Sequence, residues 1–200
     1  DDQYRLESNV AEKIGRNIES SRERYLTTEE LGTYWNALDH EHATKAAANR
    51  LCLLTAQRQA NVLGIRRDQL WLDDTVWKIP ASTTKTRKPN KVPLSGAALE
   101  IIETLLEKTD KDSPWLFPSQ KRDGPISTTS RWHRDVHIAA CARAGIEGYT
   151  LHDHRHTFAT HADAMGIPRL VWDGILGHAQ ASMAELYSGF DFDQQRRECM

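Results

Sequence analysis

The sequence predicts an α+β domain, mainly α-helical, with a small antiparallel β-sheet inserted in its first half. Apolar residues recur at helical spacing along most of the chain, for example at Ala47 and Leu51 within a helix expected at residues 42–57. In residues 75–80 and 90–95 apolar residues instead alternate on either side of a polar, basic stretch, which predicts two strands of a small sheet.

Local signals mark where the other helices begin and end. Thr27 and Glu30 have the spacing of a capping box, which predicts a helix from there to about Leu38. Ser95 can cap a later helix that presents one apolar face. Further helices are expected at about 60–64, 128–144, 152–165, 168–177 and 181–187, with a short extended segment at 114–118.

Composition favours a soluble globular domain. Apolar residues make up 39% of the chain and charged residues 27%, and no apolar run is long enough for a transmembrane helix. The three cysteines have no paired disulfide or metal spacing, so a reducing, cytoplasmic setting is expected. Residues 1–26 are interpreted as the end of an interdomain linker, 27–190 as the domain and 191–200 as a truncated tail.

The distribution of charge is more informative than the net charge of −2. Four cations, Lys85, Arg87, Lys88 and Lys91, lie within seven residues that contain no acid. Because local fields decide binding to a charged partner, the charge evidence is neutral overall, and this basic segment is the one part of it that merits further attention.

Arg58, His152 and Arg155 are candidates for phosphate chemistry. Residues three apart lie on one helix face, so His152 and Arg155 can converge on one ligand. Arginine can hold a phosphate through two parallel hydrogen bonds, and histidine exchanges a proton near neutral pH. The alternative is structural: Arg58 as a helix-end arginine paired with solvent or a carboxylate, and the histidines as part of a surface helix.

The histidines at 152, 154, 156 and 161 also raise the possibility of a metal site. Among the first three, only His152 and His156 have the i, i+4 spacing that two ligands on one helix require. No helical His-Glu-x-x-His is present and no carboxylate obviously completes a ligand set, so a metal site is disfavoured.

Gly177, His178 and Tyr187 form the third candidate segment. Gly177 suits the position just after a helix end, which leaves His178 on the turn that follows. Tyr187 shares a helical face with Met183, so taken singly it is better explained as a core tyrosine.

Taken together, these motifs resemble the tyrosine recombinases, in the variant found in prophage and genomic-island integrases. The resemblance extends over about residues 24–189 in the right order, and it includes a β-hairpin lysine with its following strand. The matching elements are Arg58, Lys85-Thr86, Val92-Pro93-Leu94-Ser95, His152-x-x-Arg155, Leu176-Gly177-His178 and Tyr187.

The resemblance implies a bacterial or phage-encoded enzyme that cuts and rejoins DNA through a 3′-phosphotyrosyl link to Tyr187. It implies Arg58, Arg155 and His178 as donors to the phosphate and His152 as the base. Lys85 is the candidate general acid, since arginine's very high pKa makes its competitor Arg87 a poor proton donor.

The remaining expectations concern partners. Arg87, Lys88 and Lys91 are assigned to the DNA backbone, and no cofactor or metal is expected. The resemblance implies double-stranded attachment-site DNA as substrate, a homotetramer when the full-length protein pairs two sites, and no membrane. An N-terminal DNA-clamping domain, usual in the family, is expected to be absent from this chain, which alone is expected to be a monomer.

The sequence departs from the family pattern at several positions. Asn61 stands where an acidic residue is common, so it is expected to hydrogen-bond an active-site neighbour without lending charge. Ala56 replaces a usual glycine and is expected to be harmless. His154 and His156 replace residues that are often apolar and arginine, and no catalytic role is assigned to them.

Three other functions compete with recombination. A type IB topoisomerase would share the chemistry but relax supercoils without paired sites. A non-cleaving relative would hold DNA only, although Arg58, Arg155 and Tyr187 are all retained. A metallohydrolase, the remote alternative, predicts tightly bound zinc.

Overall fold

The computed structural model describes residues 24–84, 86–121, 123–129 and 131–177. Within these ranges the helices and a three-stranded sheet follow the order α1, α2, α3, β1, β2, β3, α4, α5, α6, α7. Their bounds are Thr28–Ala37, Ala43–Thr55, Gln59–Leu63, Leu70–Trp71, Val76–Ile79, Asn90–Pro93, Gly96–Lys108, Arg134–Arg143, Asp153–Ala164 and Arg169–Leu176. The predicted class, mainly helical with a small antiparallel sheet in the first half, is confirmed.

Side-chain caps begin α1 and α4 as predicted. The Thr27 hydroxyl accepts a hydrogen bond from the Glu30 amide, and the Glu30 carboxylate accepts one from the Thr27 amide. Ser95 caps α4 by accepting from the Ala98 amide. The hydrogen bond from Arg24, followed by that from the Thr27 amide, lowers the pKa of Glu30 to about 2.

The sheet has the order β1-β2-β3, and both pairings are antiparallel. In the register of β2 and β3, Lys78 faces Lys91 and Ile79 faces Asn90. Strand β1 was not predicted, because two residues are too short for alternation to be visible in a sequence. The sheet packs on the main core with α2, α4 and the segment that contains Phe117.

A second core lies between α1 and α5 and includes Leu26. The Leu26 side chain is fully buried and its amide donates to the Thr157 hydroxyl at 3.1 Å. The packed part of the described chain therefore already includes a residue that the sequence assigned to the linker.

Three buried histidines, His133, His137 and His154, lie in and beside this second core; we call them the histidine cluster. His137 Nδ1 is hydrogen-bonded to the Tyr34 hydroxyl at 2.9 Å, and His154 Nδ1 to the Tyr149 hydroxyl at 2.6 Å. Burial lowers the pKa of all three, and that of His133 falls to about 4. The interpretation of His154 as part of a surface helix is therefore wrong.

Two predicted helix boundaries are wrong. Helix α5 begins at Arg134 instead of 128, because the Ser127 hydroxyl accepts from the Thr129 amide and holds a turn that competes with the helix. Helix α2 ends at Thr55 instead of 57, because Ala56 adopts a left-handed conformation. The helix expected at 181–187 lies outside the described residues. No helix in the described part of the chain is long and apolar enough to cross a membrane.

Candidate active site

The turn between α2 and α3 positions Arg58. Ala56 has φ +51° and ends α2, and Arg58 then begins α3 as its N-cap residue in extended conformation. A left-handed residue with a Cβ costs about 1–2 kcal/mol, which is why glycine is favoured at such positions. Ala56 nevertheless fits, since it is fully buried against Ala162, Trp172 and Leu176.

Arg155 projects from the first turn of α6 into the interior and is 5% exposed. Its Nη1 donates to the carbonyl of Ala56 at 2.6 Å and its Nη2 donates to the carbonyl of Leu176 at 2.8 Å. Burial, and then the positive charge of Arg58, lowers the pKa of Arg155 to about 10. The two guanidiniums therefore share one electrostatic environment, and Arg155 remains charged at neutral pH.

His152 is the N-cap residue of α6, is largely exposed, and lies close enough to Arg155 and Arg58 to feel their charges. Its ring is 5.5 Å from that of His156, centroid to centroid. Partial burial, followed by the positive charges of His156 and Arg155, lowers the pKa of His152, and Arg58 contributes in the same direction. A histidine held neutral beside two arginines can accept a proton, which is the property that a general base needs.

Two buried amides near Arg155 were not predicted from the sequence. Gln57 Nε2 donates to the carbonyl of Ile175 at 2.7 Å, and Asn90 Nδ2 donates to the same oxygen at 3.0 Å. Together with Arg155, they connect the end of α2 and the start of β3 to the end of α7. A polar residue flanked by apolar helices is a weak sequence signal, because nothing in the sequence reveals its distant partner.

The hairpin between β2 and β3 presents the basic residues to solvent. Arg87, Lys88 and Lys91 are exposed, and Arg87 has φ +54° in a turn where its amide donates to the Thr84 carbonyl. The Thr84 hydroxyl donates to the carbonyl of Lys88 at 2.7 Å and stabilises the turn.

The remaining candidates are placed as follows. Asn61 is buried on α3, one turn after Arg58. Lys85, His178 and Tyr187 lie outside the described residues. The structure thus brings Arg58, His152 and Arg155 together. Among the described residues, no group of three or more His, Cys, Asp or Glu side chains converges as metal ligands would.

With this geometry established, comparison with known proteins assigns the chain to a family. The phage integrase family profile matches residues 24–193, which is most of the chain. The chain therefore belongs to the phage integrase family, and the resemblance read from the motifs is confirmed.

Individual relatives agree with this assignment. The prophage integrase IntZ of Escherichia coli (strain K12) is 28% identical over 179 residues, which cover 88% of this chain and 43% of that protein. The XerH site-specific recombinase, solved bound to its difH substrate in a pre-cleavage complex, has a TM-score of 0.64 at 21% identity, covering 82% of this chain and 49% of that one.

The catalytic domain of bacteriophage HP1 integrase has a TM-score of 0.56 at 22% identity, and the match covers 82% of this chain and 86% of that one. These likenesses establish the tyrosine recombinase catalytic fold. The chain spans less than half of the length of IntZ.

Proposed function

We propose that this chain is the catalytic domain of a site-specific tyrosine recombinase that integrates DNA at paired attachment sites. The observation that carries the proposal is that Arg155 binds the turn that presents Arg58 and lies in the first turn of α6, next to His152. Two guanidiniums and a neutral imidazole at one place suit a phosphodiester, since preorganised cations stabilise the charge that develops on its non-bridging oxygens. Membership of the phage integrase family supports the same reading.

In the proposed reaction, the Tyr187 oxygen attacks the scissile phosphorus. A P–O bond to tyrosine forms, the P–O5′ bond breaks, the phenol proton passes to His152 and Lys85 protonates the leaving 5′-oxygen. Arg58, Arg155 and His178 hold the phosphate. Because one phosphodiester replaces another, the 5′-hydroxyl of a second strand can reverse the step without ATP.

The proposed reaction assigns the charge stabilisation to arginines. Divalent metals supply this in other phosphoryl-transfer enzymes, and two fixed guanidiniums can supply it here, so we propose that cleavage needs no metal. Tyrosine has an ordinary pKa of about 10, so the nearby cations and His152 also help it to ionise at neutral pH.

The other residues have supporting roles in the proposal. Arg87, Lys88 and Lys91 contact the DNA backbone from the exposed hairpin, which adds affinity without sequence choice. DNA is proposed as the substrate class by analogy with XerH, which was solved bound to its difH substrate.

We propose the domain boundaries and assembly by the same analogy. Residues 27–190 form the catalytic domain, to which the buried Leu26 also belongs, with the residues before it as linker and 191–200 as a tail. The match to 86% of the HP1 catalytic domain supports this extent. The full-length protein acts in the cytoplasm as a homotetramer on two sites, and the chain alone is a monomer.

A nicked suicide duplex tests the function. The full-length protein is incubated in EDTA with duplexes that carry the junction sequences bordering its encoding element, and the products are separated on a denaturing gel. A slow protein–DNA band with wild type, and none with Tyr187→Phe, is expected. A wild-type protein that binds these duplexes without forming the band would support the non-cleaving alternative, and relaxation of a supercoiled plasmid that lacks the junctions would support the topoisomerase.

A further inference from the structure

Gln57 and Asn90 are buried amides that meet at one backbone oxygen. Gln57 is 3% exposed and Asn90 is 8% exposed. Both donate to the carbonyl of Ile175, and Asn90 Nδ2 also lies 3.4 Å from Gln57 Oε1. Burying a side-chain amide costs free energy unless it is hydrogen-bonded, so the pair stabilises one arrangement of this region and opposes others.

The carbonyl that they hold lies in the last turn of α7. The last four carbonyls of a helix have no partner within the helix. Here two of them receive side-chain donors from three other parts of the chain: Ile175 from Gln57 and Asn90, and Leu176 from Arg155. Helix α7 has only eight residues, so these bonds have a large share in fixing where it ends.

Asn90 also contacts the residue that follows α7. Gly177 has φ +63°, and a Cβ built on it would lie 3.1 Å from Asn90 Nδ2 and 3.5 Å from its Cγ. The backbone of Gly177 therefore packs directly on the Asn90 side chain. Asn90 is the first residue of β3, the strand that follows the basic hairpin, so one side chain joins the base of this hairpin to the end of α7.

We infer that Gln57 and Asn90 are positioning residues for DNA cleavage. They hold the end of α7, whose last carbonyl also binds Arg155, and so fix the position from which the Arg155 guanidinium meets the phosphate. The inference rests on the proposed function, and it assigns neither residue a contact with DNA. Their loss is therefore expected to slow cleavage of bound DNA while leaving the affinity for DNA nearly unchanged.

Asn90→Asp and Gln57→Glu test the inference in the full-length protein. Each keeps the size of the side chain but replaces the NH2 donor with an oxygen that faces the Ile175 carbonyl. With the junction-sequence suicide duplex at saturation, we expect single-turnover cleavage to slow by about tenfold to a hundredfold, as small displacements of catalytic groups do. The dissociation constant for the duplex should change by less than about threefold.

Hydrogen exchange provides a readout that does not depend on activity. The amides of Leu176 and Gly177 should exchange faster in both variants, because the end of α7 loses donors that hold it. Gln57→Glu serves as the second variant if Asn90→Asp is poorly folded, since it removes the shorter of the two bonds to Ile175 and leaves Asn90 in place.

Asn49→Asp is the matched control. Asn49 is also a fully buried amide, and its Nδ2 donates to two backbone carbonyls, Lys45 at 2.9 Å and His133 at 3.3 Å. It joins α2 to the start of α5 instead of α7. We expect a loss of thermal stability comparable to that of the Asn90 variant, with wild-type cleavage by the folded protein.

The outcomes separate the two proposals. Wild-type cleavage rates in both Asn90→Asp and Gln57→Glu, unchanged exchange at the end of α7, or an equal slowing by Asn49→Asp would each overturn the positioning role alone. A wild-type protein that binds the duplex and never cleaves it would overturn the proposed function, and the positioning role with it.

Discussion

Arg155 Nη2 lies 2.8 Å from the carbonyl oxygen of Leu176, so a candidate catalytic arginine also anchors the last residue of α7. The same guanidinium reaches the end of α2 through its bond to Ala56. A guanidinium has five N–H donors, so bonds that hold the fold and bonds to a phosphate can coexist on it. Arg155 therefore stabilises the candidate site, and in the proposed function it also binds the phosphate.

Replacement of Arg155 by lysine is expected to damage both properties. Lysine keeps the charge, but its single ammonium lacks the planar fork that reaches two carbonyls. We expect unfolding in urea to show a loss of about 1–3 kcal/mol, because a buried carbonyl loses its donor. Cleavage of the suicide duplex should fall by about a hundredfold or more.

Arg58→Lys is the comparison for this prediction. Arg58 is only partly buried, and the described residues provide its side chain with no hydrogen bond or ion pair. We expect a similar loss of cleavage with a change in stability of less than about 0.5 kcal/mol. Equal destabilisation by the two lysine variants would contradict the anchoring role of Arg155.

Gly177→Ala is expected to destabilise the protein by about 1–2 kcal/mol, because an alanine at φ +63° is strained and its methyl group would press on Asn90. Thermal or urea unfolding measures the change. Gly32→Ala is the control: it lies within α1, where the described atoms leave the space for a methyl group open, and it should stabilise by about 0.5–1 kcal/mol. An unchanged free energy of unfolding in Gly177→Ala would show that Asn90 does not constrain the backbone at the end of α7.

Lys85→Ala tests the general acid through the leaving group. With an ordinary 5′-oxygen, cleavage should fall by about a hundredfold or more, the usual range for loss of proton transfer. A substrate with sulfur in place of the bridging 5′-oxygen should restore the rate, because a thiol has a pKa near 8.5 and leaves without a proton. Arg87→Ala, on the same hairpin, should respond equally to both substrates. If the sulfur substrate restored the cleavage rate of Arg87→Ala and did not restore that of Lys85→Ala, Arg87 would be the general acid instead of Lys85.

The histidine cluster predicts a loss of stability in mild acid. A histidine whose pKa is lowered by folding binds its proton more readily in the unfolded chain, so stability falls as pH drops below about 6.5. For His133 the window extends from there to about 4, through burial and then the charges of His137 and Arg134. The stability that the Glu30 carboxylate contributes is lost only at lower pH, as the pH falls from its ordinary pKa toward the lowered value of about 2.

His133→Phe should therefore weaken the pH dependence of urea unfolding between pH 7.5 and 5, and the free energy at the lower pH should rise relative to that of wild type. Neither ring nitrogen of His133 has a hydrogen-bond partner among the described residues, so the exchange removes no bond seen there. An unchanged pH slope would show that His133 keeps its ordinary pKa in the folded protein.

The parts of the fold that the sequence predicts are those fixed by neighbouring residues. Thr27 and Glu30 cap α1 across three positions, and Ser95 caps α4 in the same way. A local pattern is visible in a single sequence because both partners lie within it. The left-handed turn at Ala56 was missed for the opposite reason, since an alanine gives no local signal for positive φ.

In the candidate site, too, the residues that belong to local motifs were predicted, and those that depend on distant partners were not. Arg58, His152 and Arg155 were identified from motifs, and the structure places them together. Gln57 and Asn90 were not identified, because their common partner Ile175 is 118 and 85 positions away. The burial of His154 likewise depends on packing against Tyr34, which lies on the distant helix α1.

The central claim is that Tyr187 forms the covalent link to DNA, and mapping the adduct tests it most directly. The full-length protein is trapped on the junction-sequence suicide duplex, digested with trypsin and nuclease, and analysed by mass spectrometry. We predict that a nucleotide phosphate remains attached to the peptide that contains Tyr187, at the tyrosine itself. A stable nucleotide adduct on any other residue would contradict the account.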